Sequence, residues 1–147
     1  MNLLLSVVTA GVVATLSLGG AVAQESKIGV TSLETVLKSK PTQDVPARVV
    51  ETFIANKSQL QVLTIKKIQL HHHEQEDHVV YVASGTGKGR VETTPGKIEE
   101  RAVKPGDIFT LPKNLKHGFE AAAGQELVLL VVATVGWKPL EDTKFHE

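Results

Sequence analysis

Cysteine is absent from this 147-residue chain, which removes disulfides, thiolate metal sites and a cysteine-linked lipid anchor at one stroke. Imidazole and carboxylate are left as the strong metal ligands. An excess of either charge is missing too, since 16 basic residues balance 16 acidic ones without a basic stripe or basic-aromatic interleaving. A nucleic-acid surface is thereby excluded, as is electrostatic steering toward a highly charged partner, and a small-molecule partner is expected instead. Aromatic side chains make up only 4% of the sequence, which gives weight to a binding role without turnover. Length and ordinary apolar content bound the chain to one domain.

What the sequence does have is histidine in one place. Four of the six histidines fall between His71 and His78, in His71-His72-His73-Glu74-Gln75-Glu76-Asp77-His78. Successive side chains of a strand flip faces, so His71 and His73 share one side and His72 takes the other. At ~3.3 Å rise per residue their Cα atoms sit roughly 6.5 to 7 Å apart, close enough for both rings to reach one metal ion. His78 opens a β-branched run to Ala83 whose alternation groups His78, Val80 and Val82 on one face, offering a third imidazole from a neighbouring strand. A helical reading would stack His71 on Glu74 and His78, but the run Val79 to Val82 continues a helix poorly and Gly85 ends it early.

These residues resemble the cupins. The first cupin motif has the form G-x5-H-x-H-x(3,4)-E-x6-G, and His71-x-His73-x4-His78-x6-Gly85 follows it, with His78 where the glutamate usually stands. The second motif, G-x5-P-x-G-x2-H-x3-N, is met by Gly106, Pro112 and His117. Departures are Ile65 for the first glycine, Asn114 for a later one and Ala121 for the closing asparagine. Asn114 is a mild change, because asparagine tolerates left-handed backbone better than most residues.

The resemblance implies an all-β jelly-roll barrel, a core over about residues 45–136, and a metal site made by His71, His73, His78 and His117, with His72 outside it. A shorter motif spacing would instead use Glu76 or Asp77 as a carboxylate ligand, but the interval to Gly85 favours His78. The cofactor expected is one divalent transition metal, since four nitrogens suit Zn, Ni, Cu or Fe better than Mn or Mg. Parity adds Gln69, Val80 and Phe119 as pocket residues.

The rest of the chain reads as the container. Thr31-Ser32 caps a short helix from Leu33 to Lys38, and strands are expected at Ala47–Ala55, Leu60–Leu70, Arg90–Thr93, Ile98–Val103 and Ile108–Leu111. The glycine-rich stretch Gly85–Gly89 is not a phosphate loop, because no Gly-Lys-Ser/Thr ending and no helix follow it. Glu126–Val135 is almost wholly apolar and suits a strand buried on both sides or in a homodimer interface. The tail after Trp137, with His146, reads as an exposed or loosely docked end.

Three functions fit: a metal-dependent enzyme cleaving an enolate- or diketone-like chelator with dioxygen or by Lewis-acid chemistry, a binding module without turnover, and a dimer pinned by a structural metal. Residues 1–23 carry no charged side chain and end in Ala21-Val22-Ala23, which reads as an export signal cleaved before Gln24, leaving a domain of residues 24–147 in the periplasm or medium. Lacking a twin-arginine pair, the chain would cross unfolded and acquire its metal outside the cytoplasm. The intact mass of the exported protein is expected to start at Gln24; a membrane-bound form retaining Met1 would identify the segment as an anchor.

Overall fold

The computed structural model describes residues 29–40 and 43–146, so the expected leader, residues 1–23, lies outside the described residues. A short helix, α1 (Leu33–Ser39), precedes β1 (Ala47–Ile54), β2 (Ser58–Ile65), β3 (Lys67–His73), β4 (His78–Ser84), β5 (Gly87–Thr94) and β6 (Lys97–Val103). Then come β7 (Ile108–Leu111), β8 (His117–Ala121), β9 (Leu127–Thr134), the single turn α2 (Pro139–Asp142) and β10 (Thr143–Phe145). Pairing is antiparallel throughout, in two five-stranded sheets ordered β1-β2-β9-β4-β7 and β10-β3-β8-β5-β6. This is the jelly-roll barrel expected from the motifs.

The barrel interior is apolar because each strand alternates. In β4, His78, Val80 and Val82 are at most 2% exposed while Val79 and Tyr81 are 45% and 42% exposed. Val80 and Val82 share one core cluster with Ile65, Leu111, Leu127 and Leu129 of their own sheet and with Phe119 and Val103 of the facing one. Outside the first sheet, Ser32 caps α1 by accepting a hydrogen bond from Thr35 N at 3.1 Å. The helix lays Val36 on Val50, Val62 and Val128, so β9 is covered on both faces at that end. Toward its other end Val132 is 45% exposed.

Two local expectations needed correction. The single strand Leu60–Leu70 is broken at Lys66: Lys66 N and Lys67 N both donate to Pro46 O, at 2.7 and 3.0 Å, as the chain turns a barrel corner from one sheet to the other. The uniform parity of β3 also fails. Ile68 faces Phe119 and His71 faces His117, so β3 holds one residue more than β8 over that span, a β-bulge. Leu70 and His71 are consequently both buried, while the Gln69 side chain is exposed and lines a surface hollow of about 430 Å³ with Arg90 and Glu100. Gly118 makes room for the bulge, because a Cβ there would lie 3.0 Å from Ile68 O and 3.1 Å from Gln69 O.

The largest correction is the tail. Residues after Trp137 are docked: Trp137 is 9% exposed, Asp142 is 2% exposed, and β10 pairs with β3 through Thr143↔His73, Lys144↔His72 and Phe145↔His71. The physical reason is that β3 would otherwise leave a row of unpaired backbone groups at the sheet edge, beside the most histidine-rich stretch of the chain.

Candidate metal centre

Three elements bring the histidines together. Beyond its bulge β3 turns His71 and His73 inward, the β3–β8 ladder sets His117 directly opposite His71, and β4 begins with His78. All four are buried, between 2% and 5% exposed. Ring centroids are 4.3 Å apart for His71–His117, 5.1 Å for His71–His73 and 5.2 Å for His73–His117. Each of these three offers a ring nitrogen, and the three nitrogens lie within 4.8 Å of one another. His78 stands behind His73, at 4.5 Å between rings, and is not within that nitrogen cluster. Its Nε2 is nonetheless buried without a hydrogen-bond partner.

Hydrogen bonding decides which nitrogens are free. His71 Nδ1 lies 2.8 Å from Gln69 O, and His117 Nδ1 lies 3.2 Å from Leu115 O. A carbonyl only accepts, so both rings carry their proton on Nδ1 and keep the Nε2 lone pair. His73 Nδ1 likewise faces oxygens, Thr143 Oγ1 at 3.5 Å and Asp142 Oδ2 at 3.8 Å. Gln69 thus serves the cluster through its backbone carbonyl rather than its side chain. His72 points out of the cluster, with Nδ1 2.7 Å from His146 Nε2. Phe119 sits in the core, its ring 6.4 Å from that of His117.

The acidic loop between β3 and β4 holds backbone. Glu76 accepts from Thr134 N at 2.6 Å and Asp77 from Lys113 N at 2.8 Å, while Asn114 N donates to His73 O at 2.7 Å. Asn114 adopts φ 66°, the left-handed conformation its type tolerates. These bonds tie the loop that leads to His117 to the strand bearing His71 and His73. Missed in the sequence were Trp137 and Asp142. The Trp137 ring packs 4.2 Å from His78 and 5.2 Å from His73, and its indole Nε1 donates to Asp142 Oδ2 at 3.1 Å. A lone tryptophan in an aromatic-poor chain was the available signal.

Residues 61–133 match the family described as the cupin domain. The chain is a cupin-domain protein. A cupin-2 domain protein from Shewanella frigidimarina has the same fold at TM-score 0.56 and 17% identity, covering 71% of this chain and 94% of its own. Oxalate decarboxylase from Lactobacillus farciminis superposes at TM-score 0.53 and 19% identity over 63% of this chain and 30% of its own. Among curated relatives, acireductone dioxygenase of Bacillus cereus is 32% identical over 74 residues, 49% of this chain and 44% of the relative. That of Bacillus velezensis is 28% identical over 82 residues, 54% of this chain and 46% of the relative. The chain thus spans less than half the length of these relatives.

The donor set of this cupin suits a divalent ion: three converging imidazoles, two of them with the Nε2 lone pair left free by a carbonyl on Nδ1, a fourth whose buried Nε2 lacks any partner, and carboxylates engaged elsewhere. Burial also keeps the rings neutral. It lowers the affinity of His71, His78 and His117 for protons, His117 most strongly, and lowers His73 to about 4, with neighbouring imidazoles adding to the effect on His73. In the unfolded chain these groups protonate near pH 6.5. Below that value the unfolded state binds more protons than the native one, so stability is full above about pH 6.5 and is lost as pH falls through the native values. The thermal midpoint of chelator-treated protein is expected to fall steadily from pH 6.5 toward pH 4. A flat midpoint over that window would show that the histidines are not buried as neutral rings.

Proposed function

We propose that this cupin is a metal-dependent enzyme acting on a small, chelating, enolate-forming molecule with dioxygen, with one divalent ion held by His71, His73, His78 and His117. The carrying observation is the convergence of three buried imidazoles whose Nδ1 atoms each face an oxygen, beside the partnerless Nε2 of His78. The partial relatives named acireductone dioxygenase support dioxygen chemistry on such a substrate. A divalent ion bound here would supply Lewis acidity and, if it is Ni, Cu or Fe rather than Zn, a path for electrons between substrate and dioxygen. Four neutral donors leave its positive charge uncompensated, which favours an anionic chelator.

The chain's own residues do the rest. Gln69 O and Leu115 O hold two rings in register, and Trp137 and the apolar barrel wall exclude water from their faces. A closed structural zinc site is the second reading, favoured by the 2% to 5% exposure of the histidines. We place the enzyme outside the cytoplasm. A homodimer is proposed through the outer face of the first sheet, where Val79, Tyr81, Val132 and Ile108 are 42% to 68% exposed; sedimentation velocity showing only a monomer would remove it.

Apo protein loaded separately with Fe(II), Ni, Cu, Mn or Zn is expected to consume dioxygen with at least one redox-active ion over a panel of diketones, enediols, flavonols and hydroxy acids. His71→Ala, His73→Ala or His117→Ala should reduce the rate by more than the roughly 10- to 100-fold typical of losing a ligand's supporting partner, whereas His72→Ala should leave it near wild type. Binding without turnover by every metal form would establish the binding module, and a zinc ion inert to all added chelating substrates would establish the structural site.

A further inference from the structure

We infer that Asp142 is a positioning residue for the histidine cluster, and that the C-terminal segment 137–146 sets how fast ions enter and leave it. The inference rests on the metal-centre reading above. Its starting point is an asymmetry among the rings. His71 and His117 direct Nδ1 at neutral backbone carbonyls alone, whereas His73 Nδ1 meets the Thr143 hydroxyl at 3.5 Å and the Asp142 backbone, with the charged oxygen of Asp142 3.8 Å away. That distance exceeds a hydrogen bond, so the carboxylate acts on His73 through its field, at a site where burial leaves little water to screen it. A nearby negative charge makes an imidazole a stronger donor to a metal on its other nitrogen.

The carboxylate is held there by three hydrogen bonds divided between its oxygens. Oδ1 accepts from Glu74 N at 3.0 Å and Gln75 N at 3.1 Å, and Oδ2 accepts from Trp137 Nε1 at 3.1 Å. Burial raises the Asp142 pKa, but the bonds from Trp137, Glu74 and Gln75 outweigh it and keep the group below the usual carboxylate range. One side chain therefore joins the loop leading to His78, the indole packed on His73 and His78, and the ring of His73. If its task were only to satisfy the two loop amides, a neutral asparagine would serve as well.

The same segment closes the site. Trp137 covers His73 and His78, and Phe145 lies 5.7 Å from the His71 ring. Its outer end is held locally, by the three-residue edge strand β10, by His146 N donating to Leu70 O at 2.8 Å and by the stacked His72 and His146 rings 4.9 Å apart, whereas its inner end is anchored by Asp142 and by Gln59 Nε2 donating to Trp137 O at 2.7 Å. So short an edge strand can open without unfolding the barrel.

The test uses the full chain loaded with zinc. Asp142→Asn keeps an acceptor for the loop amides but removes the charge and, because its amide NH2 faces the indole N–H, the Trp137 bond as well. It is expected to lose about 10- to 100-fold in zinc affinity, the range for losing a partner that orients a ligand, with the chelator-treated thermal midpoint lowered no further than in Trp137→Phe, which loses the same indole bond. Trp137→Phe keeps a buried ring but frees Oδ2, and is expected to release zinc to excess chelator at least about tenfold faster. Should Asp142→Asn fail to fold, Trp137→Phe still reads the segment's control of exchange. Wild-type affinity in Asp142→Asn, or an affinity loss matched by loss of apo stability, would overturn the role of Asp142; unchanged release in Trp137→Phe would overturn the control of exchange. Wild-type protein that binds no zinc, nickel or cobalt would instead overturn the metal-centre reading itself.

Discussion

The cross-strand pairing of His71 with His117 is the contact on which the centre depends. It exists because β3 carries a one-residue bulge against β8 immediately before His71. Without that extra residue the ladder would turn His71 and His73 to the opposite face, since a shift of one residue reverses every side chain in a strand. The bulge in turn needs Gly118, where a Cβ would press on the carbonyls of Ile68 and Gln69. The Gln69 carbonyl is also the acceptor for His71 Nδ1. One backbone irregularity thus sets register, face and tautomer together.

Around that contact the barrel works as an electrostatic environment. Val80, Val82, Phe119 and Leu111 exclude water from the interior, and exclusion of water makes protonation of the imidazoles unfavourable. Neutral imidazole is the form that binds a metal. The apolar packing that stabilises the fold therefore also keeps these histidines neutral at pH values where an exposed histidine would be partly charged. The orphaned Nε2 of His78 belongs to the same economy, because a buried nitrogen lacking a partner costs free energy that a bound ion would recover.

Much of this could be read from the sequence, because period-two alternation and short motif spacings are local properties. The β4 run from His78, the Ser32 cap and the left-handed Asn114 all depend on neighbours within a few residues. What escaped depends on distant partners. The strand switch at Lys66 is fixed by Pro46 O, the bulge by β8, and the docking of the tail by Asp142 reaching Glu74 and Gln75 across some 68 residues. The segment after Trp137 looked like an exposed or loosely docked end, yet the buried carboxylate of Asp142 and the preceding tryptophan pack beside the histidines.

The central claim is that imidazole nitrogens, rather than carboxylates or a surface histidine patch, hold the ion. X-ray absorption at the metal edge of the nickel- or zinc-loaded wild-type protein tests it most directly. The account predicts protein ligation by nitrogen, with outer-shell scattering from four imidazole rings, reduced to three in His78→Ala and unchanged in His72→Ala. An oxygen-dominated shell with at most two imidazoles, or equal loss of rings in the His72 and His78 variants, would contradict it.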